Sequence, residues 1–252
     1  GNSLGEEMNA DESRANGSNF IETRIKTIKD IDGDGLIDIL TLTEQAEGTF
    51  NRLATQSIHF GRPANGKLSF NKQSDTGVTV KGFSLFEDLV DIEGDDRFET
   101  TSASNEIGIS KIIGALLTGS TKFDIAIFKL DENREFPKKP NLVKKLRLDF
   151  EFSSGTLSIP VIKLADLTGD GIKELIIDDE KEALKIFSHI EGDDKIFGKR
   201  DIKYKVALPK NGGNVQVNDI DNNGREDLLI HFDPFGDDGE QNKRRLILLL
   251  SI

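Results

Sequence analysis

The sequence contains no cysteine. Neither a disulfide framework nor a cysteine-based zinc site can therefore form, and thiols give no indication of the cellular compartment. Long apolar runs are also absent, because stretches such as residues 246–252 fall far short of the roughly 20 residues that a membrane-spanning helix needs. No basic-then-apolar signal peptide opens the chain, and we treat the sequence as a mature fragment. We expect no transmembrane segment.

The balance of charge is strongly negative. With a formal net charge of −12 and a pI near 4.8, the surface repels phosphate backbones, so we expect no nucleic-acid partner. Metal cations or basic partners fit this charge better. The 252 residues, of which 36% are hydrophobic, are enough to bury the core of one large domain or of a repeat array.

The chain divides into a polar leader and a long region of strand-like pattern. Residues 1–19 hold no aromatic or β-branched residue, which is typical of a flexible leader. From Phe20 to Ile252, short alternating runs rich in Ile, Val, Leu, Thr and Phe are broken by Gly, Asp or Asn. This pattern predicts an all-β domain over residues 20–252.

One short acidic element occurs four times in that region. Its copies read DIDGDGLID at residues 30–38, DIEGDDRFE at 91–99, DLTGDGIKE at 166–174 and DIDNNGRED at 219–227. The starts are 61, 75 and 53 residues apart, a spacing that is typical of repeat architectures such as propellers. We number the copies turn 1 to turn 4, and the residues of each copy positions 1 to 9.

A second pattern follows each of the first three turns. Two short strands joined by a Gly, Asn or Asp turn are predicted at residues 57–70, 125–139 and 184–200. A strand, an acidic turn, a second strand and such a hairpin together give four antiparallel strands, which is the anatomy of a propeller blade. The sequence therefore predicts a β-propeller array with four recognisable four-stranded blades.

Two of the predicted blades depart from this plan. The second carries an insertion at residues 105–118, whose isoleucines and leucines lie near helical spacing and predict a short helix. The last comprises residues 215–218, 227–232 and 244–252 and lacks a fourth strand. Either the N-terminal segment completes that blade, or the chain is part of a longer propeller.

The acidic turns have the composition of a calcium-binding loop. In turn 1, carboxylates stand at positions 1, 3, 5 and 9, and glycines at positions 4 and 6 let the chain fold back with positive φ. Calcium takes about six to eight oxygen ligands in flexible geometry, whereas magnesium demands a tighter octahedron and zinc prefers His and Cys. The turns therefore predict three to four Ca²⁺ ions.

The predicted ligands follow from this spacing, with a backbone carbonyl at position 7. They are Asp30, Asp32, Asp34, Leu36 and Asp38 in turn 1; Asp166, Thr168, Asp170, Ile172 and Glu174 in turn 3; and Asp219, Asp221, Asn223, Arg225 and Asp227 in turn 4. Turn 2 offers Asp91, Glu93, Asp95, Arg97 and Glu99. It is the weaker match, because Asp96 stands where glycine is wanted and Glu93 is long. Turn 1 is the strongest match, and turn 4 should bind less tightly because Asn223 replaces an aspartate.

An EF-hand is the main alternative, because its loop also begins with alternating aspartates. It requires a bidentate glutamate at position 12 and a helix on each side. Here the residues at position 12 are Thr41, Ser102, Ile177 and Ile230, and period-two segments flank the turns. We therefore expect the turns to join strands.

The repeated D-x-D/T-G-D-G-x-x-D/E, followed by an apolar strand, resembles the FG-GAP or VCBS-type repeat of integrin α-subunit propellers and many bacterial secreted proteins. Phe60–Gly61 and Phe197–Gly198 are similar to the family's Phe-Gly element, although Phe136–Pro137 replaces it once. The resemblance implies that the cations brace the first hairpin of each blade and serve structure, while other loops form binding surfaces. Seven blades are usual in the family, so upstream blades, a partner chain or a smaller ring are alternatives for closure.

The resemblance and the turns together predict a binding or adhesion module for a protein or carbohydrate ligand. We expect it to be secreted, periplasmic or at the cell surface, because extracellular calcium near millimolar suits weak sites. No catalytic residue is predicted: His59, His189 and His231 lie far apart, with no nucleophile motif nearby. The alternatives are a secreted polysaccharide-active enzyme and a structural part of a larger secreted protein or toxin.

Overall fold

The protein is all-β in a computed structural model that describes residues 19–47, 51–81, 83–84, 89–105, 118–151, 156–178, 183–190, 196–233 and 245–251. Its strands pair antiparallel in several sheets, so the all-β part of the predicted fold is confirmed. The residues group into two compact units whose segments alternate along the chain. The first unit contains residues 1–89, 95–109 and 123–144, and the second contains 90–94, 110–122 and 145–252.

The described residues before residue 130 form ten strands. They are β1 (Phe20–Lys29), β2 (Asp38–Glu47), β3 (Asn51–His59), β4 (Arg62–Ala64), β5 (Lys67–Ser69), β6 (Thr76–Lys81), β7 (Phe83–Ser84), β8 (Leu89–Val90), β9 (Glu99–Asn105) and β10 (Ser120–Phe128). A four-stranded sheet has the order β1-β2-β3-β6, and β4 and β5 form a small hairpin of their own. In β2, Leu40, Leu42 and Ala46 are buried between more exposed neighbours, as the period of a strand requires.

Nine more strands lie in the described residues after residue 130. They are β11 (Leu142–Glu151), β12 (Thr156–Ser158), β13 (Ile162–Ala165), β14 (Glu174–Asp178), β15 (Ala183–Phe187), β16 (Ile202–Lys205), β17 (Val215–Asn218), β18 (Asp227–His231) and β19 (Leu246–Leu249), with a 3₁₀ turn at Gly212–Asn214. One sheet has the order β13-β14-β15-β16, and another has the order β17-β18-β19. The described part of the chain contains no helix long and apolar enough to cross a membrane.

Each unit has an apolar cluster next to its acidic turns. In the first unit, Ile31 at position 2 of turn 1 is buried with Leu40, Ile58, Phe60 and Leu130. In the second unit, the cluster draws on the strands that flank turns 3 and 4: Val161, Ala165, Ile176, Leu184, Val215, Leu228, Ile230 and Phe232. The acidic turns therefore stand at the ends of hairpins whose stems are fixed by hydrophobic burial.

The hairpins predicted after the turns are placed differently. β3 pairs with β6, which begins beyond the hairpin predicted at 57–70. Likewise, β11 follows β10 and begins beyond 125–139, and β16 pairs with β15 and begins beyond 184–200. Those segments hold shorter excursions instead, such as the β4–β5 hairpin with Asn65 and Gly66 at positive φ. The hairpin predicted at 57–70 is therefore present, but in all three cases the strand that follows in the main sheet lies beyond the predicted one.

Two further predictions concern segments that lie largely outside the described residues. The leader at 1–19 lies outside the described residues except for Asn19, and the helical insertion at 105–118 does so over residues 106–117. The last predicted unit is seen as a three-stranded sheet made of β17, β18 and β19.

Candidate metal sites in the acidic turns

All four acidic turns join one strand directly to the next. Position 1 follows the last residue of β1, β8, β13 or β17, and position 9 is the first residue of β2, β9, β14 or β18. In turns 1, 3 and 4, the two flanking strands pair antiparallel up to the turn, as in the pair Lys29 and Asp38. The prediction that these turns join strands is confirmed, and the flanking helices of an EF-hand are not found around the described turns.

The backbone of every turn reverses at positions 4 and 6. These residues have positive φ in all four copies: Gly33 and Gly35, Gly94 and Asp96, Gly169 and Gly171, and Asn222 and Gly224. Glycine adopts this conformation without a steric penalty, and Asp and Asn tolerate it better than other residues. The predicted fold-back is confirmed, and Asp96 takes the glycine conformation with a φ of 62°.

The carboxylate at position 1 organises the loop. Asp30 accepts hydrogen bonds from the amides of Gly33 and Gly35, both at 2.8 Å. Asp166 accepts the equivalent bonds from Gly169 and Gly171 at 2.6 and 2.8 Å. These bonds pull the loop around the first carboxylate, and in turns 1 and 4 the side chains at positions 1 and 3 converge near the acid at position 9.

The acid at position 9 is buried in every turn: the exposed fraction is 0% for Asp38, 1% for Glu99, 6% for Glu174 and 0% for Asp227. In turn 1, Asp38 accepts the amide of Ile31 through one oxygen and the amide of Gly61 through the other, both at 2.8 Å. In turn 4, Asp227 accepts the amides of Ile220 and Ser251 at 2.9 and 2.8 Å. Because Gly61 and Ser251 each lie two residues after a third strand, this carboxylate ties three strands together.

The Gly61 contact gives a physical reason for the Phe-Gly element of turn 1. Phe60 is buried in the apolar cluster of the first unit. A Cβ on Gly61 would lie 2.2 Å from the carbonyl oxygen of Ile37, so only glycine permits this approach of the chain to the turn. Phe197 is likewise buried, but Gly198 has only ordinary contacts at 3.6 Å or more.

The electrostatics of the turns leave negative charge poorly compensated in two copies. Burial raises the pKa of Asp38, and the nearby carboxylates of Asp34 and Asp30 raise it further. The hydrogen bonds from the Gly61 and Ile31 amides act in the opposite direction but do not cancel this rise. Burial also raises the pKa of Glu174, with Asp170 and Asp166 acting in the same direction. In turn 4, by contrast, the amides of Ser251 and Ile220 lower the pKa of Asp227. A cation near Asp38 or Glu174 would stabilise the charged carboxylate.

Two of the turns bring three carboxylates to one point. Oxygen atoms of Asp30, Asp32 and Asp38 lie within 4.8 Å of one another, and so do those of Asp219, Asp221 and Asp227. Ligands at the usual Ca²⁺–oxygen distance of about 2.3–2.6 Å can be at most about 5 Å apart. Both triads therefore match the coordination sphere of calcium in size as well as in their hard oxygen donors.

A buried oxygen in turn 1 is already paired with a cation. Oδ2 of Asp32 is inaccessible to solvent, and the Arg134 guanidinium forms an ion pair with it. A buried carboxylate oxygen is costly unless a cation neutralises it. The protein's own arginine supplies that positive charge, at a carboxylate that belongs to the triad of turn 1.

Turns 2 and 3 do not bring three carboxylates this close among the described residues. In turn 3, Thr168 stands at position 3, where turns 1 and 4 have an aspartate. In turn 2, Glu93 at position 3 instead contacts His189, whose Nε2 lies 3.2 Å from Oε1. The carbonyl ligands at Leu36, Arg97, Ile172 and Arg225, and Asp34 or its equivalents at position 5, stay predictions.

Sequence reasoning missed one cation in turn 1. Arg134 Nη2 pairs with the carboxylates of Asp32 and Asp34, at 2.8 Å from Asp34 Oδ2, and the guanidinium carbon lies 4.4 Å from the centre of the Phe60 ring. Arg134 is separated from Asp34 by 100 residues along the chain, so no local spacing announces the contact.

Sequence reasoning also missed that neighbouring turns contact one another. The amide at position 8 donates to the preceding turn in three cases: Phe98 to Ile31 at 2.9 Å, Lys173 to Ile92 at 2.8 Å and Glu226 to Asp166 at 2.7 Å. Each of these bonds lies within one unit. Turn 3 is fixed further to turn 4, because the Glu226 carboxylate accepts the Asp166 amide at 2.6 Å and pairs with Lys173 at 2.8 Å.

Position 4 lies in the same contact. A Cβ added to Gly33 would meet the carbonyl oxygen of Asp96 at 3.2 Å, one on Gly94 would meet that of Gly171 at 2.5 Å, and one on Gly169 would meet that of Gly224 at 3.3 Å. A side chain at position 4 would therefore overlap the following turn at Gly94 and would be tightly packed against it at Gly33 and Gly169. In turn 4, position 4 is the exposed Asn222.

Comparison of the sequence with protein-family models and with curated protein sequences found no match.

Proposed function

We propose that this protein is a calcium-stabilised β-repeat module. Turn 1 would hold Ca²⁺ through Asp30, Asp32 and Asp38, and turn 4 would hold it through Asp219, Asp221 and Asp227. The observation that carries the proposal is the convergence of three carboxylates within 4.8 Å in both turns. The ion supplies positive charge that offsets the repulsion between these carboxylates and links the two strands of the hairpin.

Turns 2 and 3 would bind calcium more weakly. Turn 3 would bind through Asp166, Asp170 and Glu174 with the Thr168 hydroxyl, and turn 2 would bind most weakly because Glu93 pairs with His189. The number of ions is then three to four. The chain's own backbone does the positioning. In each turn, at least one amide among positions 4 to 6 donates to the carboxylate at position 1. The amide at position 2 donates to the carboxylate at position 9 in turns 1, 3 and 4.

The arrangement of sheets that we propose is a propeller of the FG-GAP or VCBS type. The order of strand, acidic turn, strand and further antiparallel strands recurs in the sheets that contain turns 1, 3 and 4, which supports a blade for each. On this proposal the chain belongs outside the cytoplasm, where calcium is near millimolar, and its outer loops bind a protein or carbohydrate. The blades present here would close with further blades or as a smaller ring.

Calorimetric titration of the chelator-treated protein with CaCl₂ tests the proposal. We expect saturable binding of at least two ions and no comparable binding of Mg²⁺, because a loop of flexible carboxylates does not impose a tight octahedron. Asp221→Asn should remove about one site, since it deletes one ligand charge from turn 4. Glu22→Gln, which changes an acid on β1 outside the turns, is the matched control and should bind like the wild type.

A folded protein that takes up no calcium at millimolar concentration would contradict the proposal. Equal losses in Asp221→Asn and Glu22→Gln would also contradict it, because binding would then follow total charge instead of the turn.

A further inference from the structure

We propose that Arg134 is a resident counter-cation of turn 1 that competes with the metal ion, so that turn 1 binds calcium more weakly than turn 4. The inference rests on the proposed function, and it reverses the order of affinity expected from the number of carboxylates. Turn 1 has four carboxylates at its ligand positions and turn 4 has three. Counting carboxylates alone would therefore rank turn 1 as the tighter site.

The guanidinium and a metal ion would use the same carboxylate. Arg134 Nη2 contacts Oδ2 of Asp32, a residue of the carboxylate triad, and it also contacts Oδ2 of Asp34. The Asp32 side chain is only 2% exposed, so water screens the contact little. A divalent ion among Asp30, Asp32 and Asp38 would meet a positive charge in contact with one of its ligands, and binding would require the guanidinium to move.

The loop that carries Arg134 is built to hold it there. The Asp131 carboxylate accepts the amides of Asn133 and Glu135 at 2.9 and 2.8 Å, and the Asp131 carbonyl accepts the Arg134 amide at 3.0 Å. Arg134 itself has a φ of 67°, in the left-handed region. The guanidinium also packs on the Phe60 ring, where a cation–π contact favours its position. The contact with turn 1 is therefore specified by the backbone, by an aromatic face and by charge.

Among the described residues, turn 4 has no equivalent cation. In the described part of the chain, no arginine or lysine pairs with Asp219 or Asp221, and Asn223 at position 5 donates to the carbonyl of Ser251 at 2.8 Å. With the Arg134 guanidinium included, the four ligand carboxylates of turn 1 carry a net charge of −3, which equals the charge of the three ligand carboxylates of turn 4. The guanidinium in turn 1 must in addition be displaced, and this extra step makes turn 4 the tighter site.

The test is calorimetric titration of the full chain with CaCl₂ in two backgrounds. In Asp221→Asn, where turn 4 is weakened and turn 1 is intact, Arg134→Gln should tighten the remaining binding about tenfold, which corresponds to about 1.4 kcal/mol. In Asp32→Asn, where turn 1 is weakened, Arg134→Gln should leave the affinity unchanged. Arg24→Gln is the matched control, because Arg24 pairs with Glu44 on the β1–β2 ladder and contacts no acidic turn; it should change neither background.

Arg134→Lys provides a second test of the inference if Arg134→Gln does not fold stably. Lysine retains the charge and loses the planar guanidinium, so its affinity should fall between those of the wild type and Arg134→Gln. Unchanged or weaker calcium binding in Arg134→Gln, with calcium binding retained elsewhere, would overturn this inference and leave the proposed function intact. Absence of calcium binding in the wild type and in all variants would overturn the proposed function itself.

Discussion

Replacing Gly94 with alanine should destabilise the protein by about 3 kcal/mol or more, the largest effect that we expect of any single methyl group in the turns. Gly94 has a φ of 69°, and its new Cβ would lie 2.5 Å from the carbonyl oxygen of Gly171. The unfavourable φ alone costs an L-residue about 1–2 kcal/mol. The overlap with a backbone carbonyl adds to this cost, because turn 2 and turn 3 must separate to relieve it.

Gly171→Ala is the matched control for this prediction. Gly171 has a φ of 86°, and a Cβ there would have no atom within 4 Å. It should therefore show the conformational cost alone, about 1–2 kcal/mol. Urea denaturation of both variants in the presence of chelator measures the difference. Equal destabilisation would show that turns 2 and 3 do not pack against each other as described.

Replacing Asp38 with alanine should cost about 2–4 kcal/mol of unfolding free energy in the absence of calcium. Two buried amides, of Ile31 and Gly61, would lose their acceptor, and each unsatisfied buried amide costs about 1–3 kcal/mol. Removal of the charge also relieves repulsion from the nearby carboxylates of Asp30 and Asp34, but that gain is about 1 kcal/mol. The loss of the amide bonds therefore prevails, although the pKa of Asp38 is raised.

Asp34→Ala separates this bracing effect from the general effect of removing a charge. Asp34 is in the same turn, but its side chain is 33% exposed and pairs with Arg134 at the surface of the loop. Its removal should cost about 1 kcal/mol or less. If denaturation in chelator ranks Asp34→Ala as the more damaging change, then the carboxylate at position 9 does not hold the three strands together.

The turns themselves were predictable because their structure is encoded locally. Alternating carboxylates and glycines specify positive φ at positions 4 and 6, and a strand that begins at position 9 follows from the apolar alternation after it. For the same reason, the strands around turn 4 were placed almost residue by residue, with β17, β18 and β19 inside the predicted 215–218, 227–232 and 244–252. These features depend on residues within about nine positions of one another.

The hairpins predicted after the acidic turns were misplaced because an apolar residue in the sequence does not distinguish a strand from a turn that inserts an aromatic ring into the core. Phe60 follows the apolar alternation of β3 and suggested a continuing strand, but its ring is buried in the core after β3 has ended. The partner strands then start beyond a polar excursion. In the first unit, this excursion is fixed by Asp75, which accepts the Phe60 amide at 2.8 Å and pairs with Arg62 at 2.7 Å.

Long-range contacts were beyond the reach of the repeat pattern. The glycine at position 4 was explained by φ alone, whereas Gly33, Gly94 and Gly169 also lie against a neighbouring turn. Arg134 entered no predicted site, because nothing near it in sequence marks it as different from other arginines on a polar loop. Both features depend on which segments meet after folding, which spacing within one turn does not specify.

The binding of calcium by the folded turns is tested most directly by thermal unfolding in millimolar calcium and in chelator. Because an ion that binds only the folded state contributes about 2.7 kcal/mol at a hundred times its dissociation constant, calcium should raise the melting temperature by about 5–10 °C. Asp32→Asn combined with Asp221→Asn should remove most of that shift. Superimposable melting curves of the wild type with and without calcium would contradict the account.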